Sequence, residues 1–132
     1  MSATPLYPHI YRPLIDDALR EDLGRAGDLT SDAVVPLNLG ARGDLRARRE
    51  GRIAGLAVAL EVFRRLDPTV EVDIHVDDGR DIGAGQVAAT VRGLAREMLS
   101  AERTALNLMG RLSGIATVTR DMVRAVTGTR AR

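Results

Sequence analysis

Ser100, Arg103, Asn107 and Arg111 recur at i, i+3 and i+4 spacings, so a helix over Met98–Thr117 gathers them on one polar stripe. Leu94, Met98, Ala101, Ala105, Leu108 and Leu112 fall on the other side. The stripe has few acidic partners, because Glu102 lies about 100° round from Arg103. Two guanidiniums and an amide in that arrangement face either solvent or an anion. A planar fork of N–H donors suits a carboxylate or a phosphate, held bidentately.

The remaining residue types narrow the chemistry. All nineteen basic residues are Arg, and there is no Lys. A genomic bias accounts for this, but Schiff-base and lysyl-carrier chemistry are absent from the chain regardless. No Cys is present, so thiol nucleophiles, disulfides and thiolate metal sites are excluded. His9 and His75 stand on different segments and make a poor metal site. Asp77-Asp78-Gly79-Arg80-Asp81 lacks the glycine and closing Glu of a calcium loop at their offsets. Gly83-Ala84-Gly85 precedes an alternating strand (Val87, Ala89, Val91) and not a helix, so a dinucleotide loop does not fit. The net charge of +1 gives no bulk attraction for nucleic acid. No apolar run approaches the roughly 18 residues that cross a bilayer, and residues 1–13 lack a signal-peptide pattern. A cytoplasmic protein without membrane or nucleic-acid partners is expected.

The elements that must position the stripe follow from periodicity. Residues 1–13 read as a tail. Leu14–Leu23 reads as a helix ending at Gly24. Gly27-Asp28-Leu29-Thr30-Ser31-Asp32 is a turn rich in residues that bond their own backbone. Residues 43–55 alternate around Glu50-Gly51 as a hairpin with Leu45 and Ala47 inward. Leu56–Leu66 is a helix stopped by Asp67-Pro68. Val70–Val76 alternates strictly and leaves His75 outward. The helix over residues 94–127 is expected as a pair interrupted at Ser113-Gly114, and residues 129–132 read as the start of another strand. One domain over residues 14–128 results, with an α+β architecture: an antiparallel sheet sandwich with helices packed on one face.

Several segments together resemble the quinolinate phosphoribosyltransferases, also called carboxylating nicotinate-nucleotide pyrophosphorylases. They are Glu21-Asp22-Leu23-Gly24, Gly27-Asp28-Leu29-Thr30-Ser31, Gly55-Leu56, Asp78-Gly79 and Gly85-Gln86. Most specific are Ala101-Glu102-Arg103-Thr104-Ala105-Leu106-Asn107 and Leu112-Ser113-Gly114-Ile115-Ala116-Thr117. The resemblance runs from about Leu14 to Arg132 and covers only the N-terminal part of such an enzyme. It implies a sandwich domain followed by a barrel of parallel strands, which carries the phosphate-binding loops, the functional lysines and the acidic residues for magnesium and ribose. The reaction implied joins quinolinate to phosphoribosyl pyrophosphate with Mg2+, giving nicotinate mononucleotide, pyrophosphate and carbon dioxide. It further implies a homodimer in which Arg103 reaches a quinolinate carboxylate in the other subunit's active site, with Ser100 and Asn107 available to orient it. Arg111 is expected at an interface or in solvent. No catalytic acid or base is identifiable, so this chain alone is expected to be inactive. Two alternatives differ in class: a related phosphoribosyltransferase acting on another ring substrate, and a non-catalytic interaction domain. The Asp78-Gly79 and Gly85-Gln86-Val87 segments also look like a biotinyl or lipoyl hairpin, which the lack of Lys rules out as a carrier.

Overall fold

The computed structural model describes residues 4–24 and 34–130. Helix α1 spans Pro8–Leu23 and buries Tyr11, Ile15 and Leu19, one residue per turn. It therefore begins inside the stretch read as a tail. Pro8 occupies the first helical turn, where its missing N–H costs nothing, and Pro13 is carried inside the helix. Burial of Tyr11 against the core rewards the extra turn. The Gly27–Asp32 turn lies outside the described residues.

Strand β1 (Gly40–Arg46) pairs antiparallel with β5 (Val87–Leu94), from Gly40 opposite Leu94 to Leu45 opposite Ala89, with a bulge before Arg46. Strand β3 (Glu71–Ile74) pairs with the other edge of β5, giving the order β1-β5-β3. A second antiparallel pair joins β2 (Gly51–Arg52) to β4 (Asp81–Ile82). The hairpin expected over residues 43–55 is thus absent. Alternation identified the inward positions correctly, since Leu45 is buried and Ala47 packs on the core. The partner of β1, however, is a strand some forty residues later, and Ala47 N–H extends that pairing by donating to the Gln86 carbonyl. Glu50-Gly51 is a passage from one sheet to the other.

Being central, β5 is buried on both faces: Ala88, Ala89, Thr90 and Val91 are all nearly inaccessible. On its outer face the Thr90 hydroxyl donates to Asp44 (2.9 Å) and meets His75 Nε2 (3.0 Å). Arg92 pairs with Asp73 beside them. His75 is exposed as expected, but its ring is tied to this polar face.

Helix α2 (Leu56–Leu66) buries Leu56, Val58, Ala59, Leu60, Val62 and Phe63. Its start lacks a local cap, and Asp78 supplies one from a distant turn. The amides of Leu56 (2.8 Å) and Ala57 (3.2 Å) both donate to that carboxylate. Helix α3 (Ala95–Val126) then runs unbroken for 32 residues. The interruption expected at Ser113-Gly114 does not occur. A helical Gly costs only about 1 kcal/mol relative to Ala. Ser113 directs its hydroxyl across to the backbone of Ala54, donating to its carbonyl and accepting from its amide, both at 3.0 Å. Beyond α3, Thr129 and Arg130 form a bend and not a strand, and residues 131–132 lie outside the described residues.

Two polar anchors fix α3. Asp67, buried at the end of α2, accepts from the Leu94 amide at the start of α3 (2.9 Å) and from the amide and hydroxyl of Thr69. Farther along, the buried Arg120 bonds Asp121, Asp81 and Glu50, and Asp81 also accepts from Arg52 and Arg124. Burial works to raise the Asp67 carboxyl, but the Thr69 hydroxyl and the Leu94 and Thr69 amides hold it below the ordinary range. A depressed folded-state value stabilises above the unfolded value of about 4 and is lost as pH falls through the folded value. Asp67→Ala should therefore cost about 1–3 kcal/mol at neutral pH. The difference from the unsubstituted chain should shrink as pH falls to about 3, read from urea-unfolding midpoints.

Candidate functional site

Arg103 lies in the third turn of α3, exposed, with Asn107 and Arg111 exposed on the same side and Ser100 half-buried behind it. The stripe expected from the sequence is therefore assembled. Among the described residues Arg103 takes part in no hydrogen bond or ion pair, and neither Asn107 nor Arg111 bonds to it. This contrasts with Arg12, Arg52, Arg65, Arg92, Arg120 and Arg124, each of which meets a carboxylate. An open guanidinium keeps its full fork of donors for an incoming anion.

The helix segment under Arg103 is held close to the core. Ala101 and Ala105 are fully buried, and the small side chains let the backbone approach. Thr104, also buried, donates its hydroxyl to Asp22 at the end of α1 (2.5 Å). Leu99 and Leu106 flank Arg103 on the outside and remain 47% and 43% exposed. Farther along, and turned away from Leu99 and Leu106 around the helix, Ile115, Val118, Met122 and Val126 form a separate exposed apolar ridge.

A groove of about 680 Å³ lies elsewhere, between Thr4–Leu6, the start of α2, the Asp77–Arg80 turn and Leu112, and Arg103 does not line it. Of the two carboxylates that line it, Asp77 and Asp78, the latter is already occupied in capping α2. No group of three His, Asp or Glu that could hold a metal exists among the described residues. Among the described residues Asp16, Asp44, Asp73 and Asp81 are each engaged with arginines. Sequence periodicity missed Thr104, Asp22, Asp67 and Arg120. The polar Thr104 directly between Arg103 and Ala105, on the inward side, was the one available signal.

These features define a class: an α+β sandwich domain presenting two arginines unpaired among the described residues, Arg103 and Arg111, from one side of a long helix. The family model described as quinolinate phosphoribosyl transferase, N-terminal domain, matches residues 28–113, and the chain belongs to that family. It is similar to a nicotinate-nucleotide pyrophosphorylase [carboxylating] of Mycobacterium leprae, 44% identical over 126 residues (92% of this chain, 43% of that protein). A quinolinate phosphoribosyltransferase [decarboxylating] 2b, mitochondrial, of Nicotiana tabacum is 41% identical over 108 residues (82% and 31%). Among solved structures, NadC from Streptococcus pyogenes superposes with a TM-score of 0.93 at 32% identity, covering 98% of this chain and 46% of that one. The chain therefore spans less than half the length of these relatives.

The exposed ridge on α3 should drive association of this chain in isolation. Sedimentation velocity should show a sedimentation coefficient that rises with concentration, and Ile115→Glu combined with Met122→Glu should suppress the rise. A monomer unaffected by dilution would mean that the ridge is too dispersed to bind itself.

Proposed function

We propose that this chain is the N-terminal domain of a quinolinate phosphoribosyltransferase. The complete enzyme would convert quinolinate and phosphoribosyl pyrophosphate to nicotinate mononucleotide, pyrophosphate and carbon dioxide, in the service of NAD biosynthesis. The observation that carries the residue assignment is Arg103, an exposed guanidinium without a carboxylate partner among the described residues, within the Glu102-Arg103-Thr104-Ala105-Leu106-Asn107 segment.

On this reading Arg103 binds a carboxylate of quinolinate in the active site of the other subunit of a homodimer. Quinolinate is a dianion, and a planar fork pairs with one of its carboxylates through two parallel N–H···O bonds. The contribution is binding and orientation, with no proton transferred by Arg103. Losing the 2-carboxylate as carbon dioxide requires that it first be held as an anion, and a guanidinium does that without competing for a proton. The reacting groups, the phosphate-binding loops and the magnesium ligands belong to the barrel of the complete enzyme, and no step is assigned to the metal through residues of this chain. The exposed apolar ridge supports burial against another part of the assembly. A cytoplasmic enzyme fits this reading, and among the described residues no helix is long and apolar enough to cross a membrane.

Arg103→Ala in the complete enzyme should weaken quinolinate binding by about 1.5–3 kcal/mol, the range for hydrogen bonds to charged groups, or roughly ten- to a hundred-fold. Affinity for phosphoribosyl pyrophosphate should be nearly unchanged. Titration calorimetry with each ligand separates the two, and an unaltered quinolinate affinity would remove Arg103 from the site.

A further inference from the structure

The bond between the buried Thr104 and the exposed Asp22 is not explained by the binding role of Arg103 alone. Threonines farther along α3 and at its C-terminal cap spend their hydroxyls locally. Thr117 donates to the Ser113 carbonyl (2.7 Å), Thr119 to Ile115 (2.8 Å) and Thr127 to Val123 (2.7 Å), each four residues back. Thr104 instead donates across the domain to the Asp22 carboxylate, 82 residues away in sequence. Thr104 is 1% exposed while Asp22 stands exposed at the end of α1, so the bond is shielded from water on the Thr104 side.

Asp22 stands in the last turn of α1, one residue before its end at Leu23. A carboxylate there opposes the helix macrodipole, so the position is unfavourable without a compensating donor. Thr104 is such a donor. The bond couples the end of α1 to the residue next to Arg103, beside Ala101 and Ala105, which have no accessible surface. Roll of α3 about its axis is opposed at this turn by one charge-assisted hydrogen bond and by close backbone packing. The guanidinium, at the end of a long side chain, amplifies any such roll.

We propose that Asp22 and Thr104 form a latch that sets the orientation of Arg103, making both positioning residues for the carboxylate of the substrate. The inference rests on the binding role proposed for Arg103. In the complete enzyme, Thr104→Val keeps the side-chain volume and removes the donor. It should raise KM for quinolinate about five- to twenty-fold, given that a misplacement near 1 Å can cost a hundred-fold. KM for phosphoribosyl pyrophosphate should stay unchanged. Asp22→Ala should match it, and Thr104→Ser, which retains the hydroxyl, should restore the unsubstituted value.

A cycle with Arg103→Ala separates positioning from general stability. With Arg103 absent, Thr104→Val should add nothing to KM for quinolinate. If Arg103→Ala weakens quinolinate while Thr104→Val does not, the latch is overturned and the binding role stands. An equal cost of Thr104→Val with and without Arg103 also overturns the latch, since the effect would then bypass Arg103. If Arg103→Ala itself leaves quinolinate binding intact, the proposed function of Arg103 fails first, and the latch with it.

Discussion

The contact on which the rest of the domain depends is the seating of α3 on the backbone of residues 51–56. Gly51 and Gly55 lie directly beneath the helix. A Cβ on Gly51 would come within 2.7 Å of the Thr117 hydroxyl oxygen, and one on Gly55 within 2.5 Å of a Leu112 methyl carbon. Gly55 also adopts φ +82°, a conformation side chains disfavour. Because the two surfaces approach so closely, Ser113 and Thr117 can reach the strand edge. The Arg52 amide donates to Thr117 and the Ala54 amide to Ser113, so polar backbone that the helix covers is not left unsatisfied.

That seating determines the roles of the neighbouring elements. Residue 55 ends the passage from β2 and begins α2, so the helix that crosses it sets the entry of α2 into the core. Asp78 then completes the exposed amides of α2 from the β3–β4 turn. The C-terminal half of α3 is pinned through the buried Arg120, a burial that would be costly unpaired and is met here by three carboxylates. Its N-terminal end is pinned through Asp67. Between these anchors the helix presents Arg103 on its outer side without needing any bond to that residue.

Much of this was legible in the sequence, and the failures have physical reasons. Alternation over Val70–Val76 and the 3.6-residue period over Leu56–Leu66 and Met98–Thr117 report which side of an element is apolar. They placed the helices and the α+β class correctly. Periodicity does not report which strand pairs with which, so Gly43–Arg46 and Gly51–Arg52 were joined into a hairpin when each belongs to a different sheet. Local propensity also misjudged Ser113-Gly114, where a tertiary bond to Ala54 outweighs a helix-weakening pair. The helix was expected to begin only at Leu14, because Tyr11, whose burial carries it back to Pro8, gives no periodic signal by itself. Arg103 was legible as an underpaired cation, whereas the Thr104–Asp22 bond joins residues that no local window contains together.

At about 1.5 Å per residue, α3 is roughly 48 Å long, anchored near its two ends at Leu94 and Arg120. Were those anchors loosened, the rod would become a lever with its fulcrum near Ser113. Arg103 is ten residues from that point, about 15 Å, so a tilt of only about 5° would carry it more than 1 Å. The same tilt would swing the far end, at Val126, in the opposite direction by a comparable distance. The anchors at Leu94, Thr104 and Arg120 thus keep a load on the ridge at Ile115–Val126 from displacing Arg103.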